Sequence, residues 1–165
     1  MTALVVVMGV SGSGKTTVGT LLAERLAVPY ADADEFHPPE NVAKMAAGTP
    51  LDDADREPWL DAIGAWLAGR AEHAGGVVTC SALKRGYRDR LRAAAPGAFF
   101  VHLDGSPELI ADRLSGRRGH FMPSSLLRSQ FDTLEPLAGD EPGAAVSIEG
   151  SAEDTVERAL AAVPR

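Results

Sequence analysis

The run Gly9-Val10-Ser11-Gly12-Ser13-Gly14-Lys15-Thr16 fits the pattern G-x-x-x-x-G-K-[ST]. In such a loop the glycines let backbone N–H groups turn inward around phosphate oxygens. A helix N-terminus behind the loop adds its positive dipole end. Lys15 is expected to reach the β- and γ-phosphates, Thr16 to ligate Mg²⁺ through its hydroxyl, and Thr17 to border the nucleotide. Gly9, Ser11, Gly12, Ser13 and Gly14 form the cradle itself. The motif predicts nucleotide binding and leaves the reaction open.

Further groups narrow the reaction. Asp32 and Asp34 stand two apart in Asp32-Ala33-Asp34. In an extended segment residues i and i+2 point the same way. Both carboxylates then face the carboxyl end of a strand, where open α/β sheets bind ligands. Asp34 is assigned to a substrate hydroxyl and Asp32 to the metal side. His37, three residues on, is a candidate donor to a polyol hydroxyl. A late cluster, Arg113, Arg117 and Arg118, suits a small kinase, in which arginines on a lid neutralise the charge spread over the transferred phosphoryl group. Arg113 and Arg117 are expected at the ATP phosphates, with Arg117 catalytic beside Lys15 and Asp34. No Asn-Lys-x-Asp segment is present, which argues against a guanine-specific switch. The apolar run Val77 to Cys80 does not end in an acidic residue, which argues against a large motor ATPase.

These residues need a scaffold, and the pattern predicts one. Leu4–Met8 reads as a strand buried on both faces. Val18, Leu21, Leu22 and Leu26 follow helical spacing up to Pro29. Strands are expected at Tyr30–Ala33, Val77–Cys80, Phe99–Leu103 and Ala144–Ile148. Helices are expected through Trp59, Ile63, Trp66 and Leu67, closed by Gly75-Gly76, and over Arg85–Ala95. Another follows Ser106 as N-cap, and the last follows the capping pair Ser151 and Asp154. The β-α alternation predicts an α/β three-layer sandwich around a parallel sheet of about five strands. Ser115 to Pro142, rich in Gly, Pro, Arg and Ser, reads as loop or lid.

Several segments together resemble the thermoresistant-type gluconokinase family, which sits near shikimate kinase and the nucleoside monophosphate kinases. They are Met8 through Lys15, Asp32-Ala33-Asp34 with His37-Pro38, Asn41 with Lys44-Met45, Gly48 with Pro50-Leu51, Asp55-Arg56 with Pro58-Trp59-Leu60, Cys80-Ser81-Ala82-Leu83-Lys84 with Tyr87-Arg88, Arg118-Gly119-His120-Phe121-Met122, and Gln130-Phe131 with Thr133-Leu134-Glu135. The resemblance runs from about residue 4 to 160. It implies one P-loop kinase domain over 1–165, with a substrate-binding helical insert at about 35–74 and a lid at about 115–125. It implies ATP and Mg²⁺ as cofactors, phosphorylation of D-gluconate at its 6-hydroxyl, and a homodimer. Lys44, Arg56, Lys84 and Arg88 are then expected near the substrate carboxylate, since an arginine fork matches a carboxylate in two places. Asp34, His37, Ser81 and Gln130 are expected at the hydroxyls, and His120 at the closing lid. The alternatives are a kinase for another small hydroxy acid such as shikimate, and a non-catalytic ATP-dependent switch.

The bulk composition agrees. The chain has 165 residues, 45% hydrophobic and 24% charged, with a net charge of -7. Acidity of this kind argues against nucleic acid or anionic membrane as partner, so an anionic ligand must be met by local cations. No run approaches the roughly 18 apolar residues of a membrane span. The single cysteine, Cys80, excludes an intrachain disulfide and suits a reducing cytoplasm; it reads as a small buried hydrophobe.

Overall fold

The computed structural model describes residues 3–115 and 124–164. The expected sheet is present, with all neighbours parallel. The strands are β1 (Ala3–Met8), β2 (Tyr30–Asp32), β3 (Gly75–Thr79), β4 (Phe99–Asp104) and β5 (Gly143–Ser147), in the spatial order β2-β3-β1-β4-β5. The helices are α1 (Lys15–Leu26), α2 (Pro39–Ala46), α3 (Asp53–Ala71), α4 (Arg85–Ala94), α5 (Pro107–Ser115), α6 (Ser124–Thr133) and α7 (Ala152–Ala162).

Every residue of β1 is buried, which is what a central parallel strand covered on both faces requires. Val5 and Val7 face one core with Val18 and Leu22 of α1 and Val156, Ala159 and Leu160 of α7. Leu4, Val6 and Met8 face the other, with Trp59, Leu60, Ile63 and Leu67 of α3 and Leu91 of α4. Two strand-to-helix turns start the helices as expected. Ser106 accepts from the Leu109 N–H, and Ser151 and Asp154 form a reciprocal capping box. A second box, Asp52 with Asp55, starts α3.

Three expectations are corrected here. Gly75 and Gly76 do not close a helix; they open β3, in register with Ala3 and Leu4. Gly75 sits at φ +107, and a Cβ there would run into the Ala3 carbonyl, so close strand approach explains the glycine. The Asp32-Ala33-Asp34 segment is not extended throughout. β2 ends at Asp32, whose side chain accepts from the Asp34 N–H (2.9 Å) and caps a 3-10 turn over Ala33–Phe36. Finally, Ser115 to Pro142 is not wholly irregular, because it contains α6. Leu127, Phe131 and Leu134 are spaced i, i+4, i+7; the first two pack on the α1 side of the sheet, and Leu134, just past the helix, touches both cores. That period was readable, though set among Gly, Pro and Arg.

Candidate active site

The P-loop joins β1 to α1. Gly9 N–H donates to the Ser81 carbonyl (3.2 Å), tying the loop to the end of β3. Ser13 is buried and its Oγ donates to the Val10 carbonyl (2.7 Å). Gly14 takes the left-handed conformation (φ 92) as N-cap of α1, with nothing within 4 Å of where a Cβ would stand. The loop is therefore an open cradle at a helix N-terminus, the arrangement that accepts a polyphosphate. Lys15 Nζ folds over it and donates to the Gly9 and Val10 carbonyls, both at 3.0 Å. Burial lowers the Lys15 pKa, while Cys80, Asp34 and Asp32 act in the opposite direction. The lysine and both aspartates thus share one electrostatic site. Cys80 itself is pushed up to about 12 by burial and stays a thiol, so it is packing and not a nucleophile.

Beside the loop lies a cleft of about 400 Å³, bordered by Gly12, Gly14, Thr17, Arg113, Gly150 and Thr155. Arg113 does not stand free as a phosphate ligand. Its Nη2 donates to the Ile148 and Gly150 carbonyls and clamps the β5–α7 loop against the cleft. Gln130 on α6 reaches the loop from the other side, its Oε1 accepting from the Ser11 N–H (2.6 Å). Arg117 and His120 lie outside the described residues.

The residues expected at the acceptor lie on the 3-10 turn, α2, α3 and the start of α4. His37 stacks on Trp59 with 4.5 Å between ring centroids and 7° between planes. Burial lowers its pKa; Asp34 opposes this and Arg56 adds to it. Arg56 Nη1 donates to the Tyr87 hydroxyl (3.3 Å), which donates to Asp53 Oδ1 (2.6 Å). Lys84 Nζ donates to the same oxygen at 3.4 Å, and Arg56 stands 3.9 Å from it. Arg56 and Lys84 also lie 5.8 and 5.5 Å from the centre of the Tyr87 ring. This group already holds one carboxylate, and that carboxylate is mostly exposed. The Tyr87 hydrogen bond, then Lys84 and Arg56, hold Asp53 below its usual range against the effect of burial.

Two of the expected cations are already paired with carboxylates of the fold. Arg88 is fully buried, with Nε and Nη2 on the two oxygens of Glu141 (2.7 and 3.0 Å) and Nη1 on the Ala82 carbonyl. A guanidinium closed off in this way cannot meet a substrate. Its assignment is corrected to a structural ion pair joining α4 to the segment before β5. Lys44 donates to both oxygens of Asp55 (2.8 and 2.9 Å), the capping-box residue of α3; unlike Arg88 it keeps 42% of its side-chain surface open. Sequence reasoning missed Tyr87 and Asp53 as partners of Arg56 and Lys84. Tyr87 follows Lys84 by three residues at a helix start, and Asp53 precedes Arg56 by three, so the helical spacing was the available signal.

A P-loop between a buried parallel strand and a helix, in a five-stranded parallel sheet, defines the P-loop kinase fold. Comparison with known proteins agrees and goes further. Residues 11–133 match the family model described as shikimate kinase. The chain is 52% identical over 157 residues to a gluconokinase of Gluconobacter oxydans (strain 621H), covering 94% of this chain and 88% of that one. It is 41% identical over 158 residues to the thermoresistant gluconokinase of Escherichia coli (strain K12), covering 92% and 90%. The crystal structure of a gluconokinase from Sinorhizobium meliloti 1021 superposes with a TM-score of 0.87 at 50% identity, covering 97% and 90%. The chain belongs to the gluconokinase family. Among the described residues no helix is long and apolar enough to cross a membrane.

Proposed function

We propose that this chain transfers the γ-phosphoryl group of ATP to the 6-hydroxyl of D-gluconate, giving 6-phospho-D-gluconate and ADP. The observation that carries the choice of acceptor is the Arg56–Lys84–Tyr87 group. It presents two cations and a phenol to one carboxylate, and Arg56 and Asp34 both act electrostatically on His37. A polyhydroxy acid offers both a carboxylate for the first set and a hydroxyl for the second.

In this reading Lys15 neutralises charge on the phosphates once it leaves the Gly9 and Val10 carbonyls. Asp34 orients the acceptor hydroxyl and takes its proton as the oxygen–phosphorus bond forms. His37 and Ser81 add hydrogen bonds to the remaining hydroxyls, and Gln130 holds the loop through Ser11. Thr16 and Asp32 would hold Mg²⁺, which when bound offsets charge between the β- and γ-phosphates. Thr16 at the start of α1 and Asp32 at the end of β2 are hard oxygen donors of the kind Mg²⁺ takes, the remaining positions being left to phosphates and water. The insert at about 35–74 acts as the acceptor-binding unit. The segment at about 115–125, with Arg117 and His120, acts as a lid that excludes water, and the enzyme works as a cytoplasmic homodimer.

The test is a coupled ADP-release assay with Mg-ATP, run with D-gluconate, with shikimate and with no acceptor. ADP release driven by gluconate alone is expected. Release driven by shikimate would discard the pocket assignment and keep the kinase. Release stimulated by neither would leave a nucleotide-dependent switch. Sedimentation equilibrium checks the dimer.

A further inference from the structure

One side chain of the acceptor pocket is gripped from two sides, and the grip dictates where its proton sits. Asn41 on α2 is buried, at 3% exposure. Its Nδ2 donates to the Asp55 carbonyl (2.9 Å) and lies 3.3 Å from His37 Nδ1. A backbone carbonyl only accepts, so the Asn41 atom facing it must be the amide nitrogen. That nitrogen carries two hydrogens. One goes to Asp55 and the other points at His37 Nδ1, which must therefore be the bare, accepting nitrogen. The single hydrogen of the neutral ring is then on Nε2. The ring plane is set by Trp59, which is itself anchored by donation from Nε1 to the Ala33 carbonyl (2.7 Å).

We propose that Asn41 is a positioning residue that holds His37 as the neutral Nε2–H tautomer, so that His37 offers the substrate a hydrogen-bond donor beside the acceptor Asp34. The role in substrate binding rests on the gluconate reading; the tautomer does not. The chemical reason for such a device is polarity. Asp34 must receive a hydroxyl proton, and an accepting Nε2 nearby would compete for it. A fixed donor points hydroxyl lone pairs at His37 and leaves the proton for Asp34. The charged groups around the ring sort consistently. Asp34 favours the imidazolium and Arg56 disfavours it. Asp55 presents only its carbonyl through Asn41, its carboxylate being held by Lys44. A second hydrogen on Nδ1 would meet the Asn41 amide hydrogen head-on, so protonation is resisted as well as misdirected.

The test is long-range ¹H–¹⁵N correlation spectroscopy on the ¹⁵N-histidine-labelled enzyme, with His37 assigned by its loss in His37→Asn. The expected signature is a protonated Nε2 and a bare Nδ1 from about pH 6 to 8, the range in which an ordinary histidine changes charge. In Asn41→Ala the ring should become a tautomer mixture with an ordinary titration, and KM for gluconate should rise about tenfold, with KM for ATP unchanged. In Asn41→Asp the new acceptor should pull the proton of the neutral ring to Nδ1, raise the pH at which the ring loses its second proton, and raise KM for gluconate above that pH, where Nε2 is left bare. A protonated Nδ1 in the parent enzyme, or a His37 signature unchanged in Asn41→Ala, overturns the proposal. A correct tautomer whose signals ignore saturating gluconate, in enzyme that turns gluconate over, would overturn the donor role; absence of gluconate turnover would instead overturn the reading on which that role rests.

Discussion

Replacing Glu141 by Gln should cost this protein a large part of its stability while leaving its pocket chemistry alone. The substitution keeps shape and removes charge at a carboxylate that serves four donors. Arg88 contributes Nε and Nη2 (2.7 and 3.0 Å), Arg92 contributes Nη2 (2.9 Å) and Ala138 its N–H (2.8 Å). Arg88, fully buried, would be left facing a neutral amide, while Arg92 keeps the Asp89 carboxylate. Arg92 Nη1 is already buried without a hydrogen-bond partner, so it has no slack to offer. Removing one member of a buried pair costs about 3–5 kcal/mol, since the charge left behind is not solvated. In a domain of this size each kcal/mol moves Tm by about 2–4 °C, so Tm should fall by about 6–20 °C by scanning calorimetry. The pH dependence gives an independent reading. Burial pushes Glu141 up, but Arg88, the Ala138 N–H and Arg92 outweigh it and bring the pKa down from 4.5 to about 2. A depressed carboxylate stabilises the fold above its unfolded pKa and loses that contribution as pH falls through the folded value. The parent should therefore lose about 3 kcal/mol of stability between about pH 5 and 2, and Glu141→Gln should lack that component. The companion variant Arg88→Met separates structure from recognition. A Tm within about 2 °C of the parent combined with a raised KM for gluconate would refute the buried-pair argument and return Arg88 to the pocket.

Three other outcomes follow from the geometry. Asp34→Ala should lower kcat by about 10²–10⁴-fold, as for loss of a positioned general base, with ATP affinity by calorimetry unchanged; near-parent turnover would remove Asp34 from the mechanism. Arg56→Ala should raise KM for gluconate about tenfold or more, as for loss of a charge-assisted hydrogen bond, while KM for ATP stays put. Cys80, buried and with its thiol pKa near 12, should react with a thiol reagent only in denaturant, and rapid labelling of the folded enzyme would contradict its burial.

The sheet and the P-loop were legible because both depend on local pattern. A run of six residues buried throughout, followed at once by the phosphate motif and a helical period, leaves little choice of arrangement. What was misread depends on distance along the chain. Lys84 and Arg88 stand four apart at the start of one helix and looked equivalent, but Arg88 meets Glu141, fifty-three residues later, and Lys84 meets Asp53 at the pocket. Lys44 and Arg56 come from the same insert and looked equivalent too, until Asp55 took the lysine. Spacing tells how far a cation can reach but not which carboxylate reaches it first, and burial decides whether that partnership can be exchanged. Arg88 and Glu141 are both sealed, so no substrate can compete for them. Asp53 keeps 68% of its side-chain surface open to solvent, and Arg56 and Lys84 about a third of theirs. Exchange of one carboxylate for another at that group therefore costs little desolvation. Asn41 belongs to the same lesson: a short polar residue on an amphipathic helix carries no mark of function until the fold brings the Asp55 carbonyl to one side of it and His37 to the other.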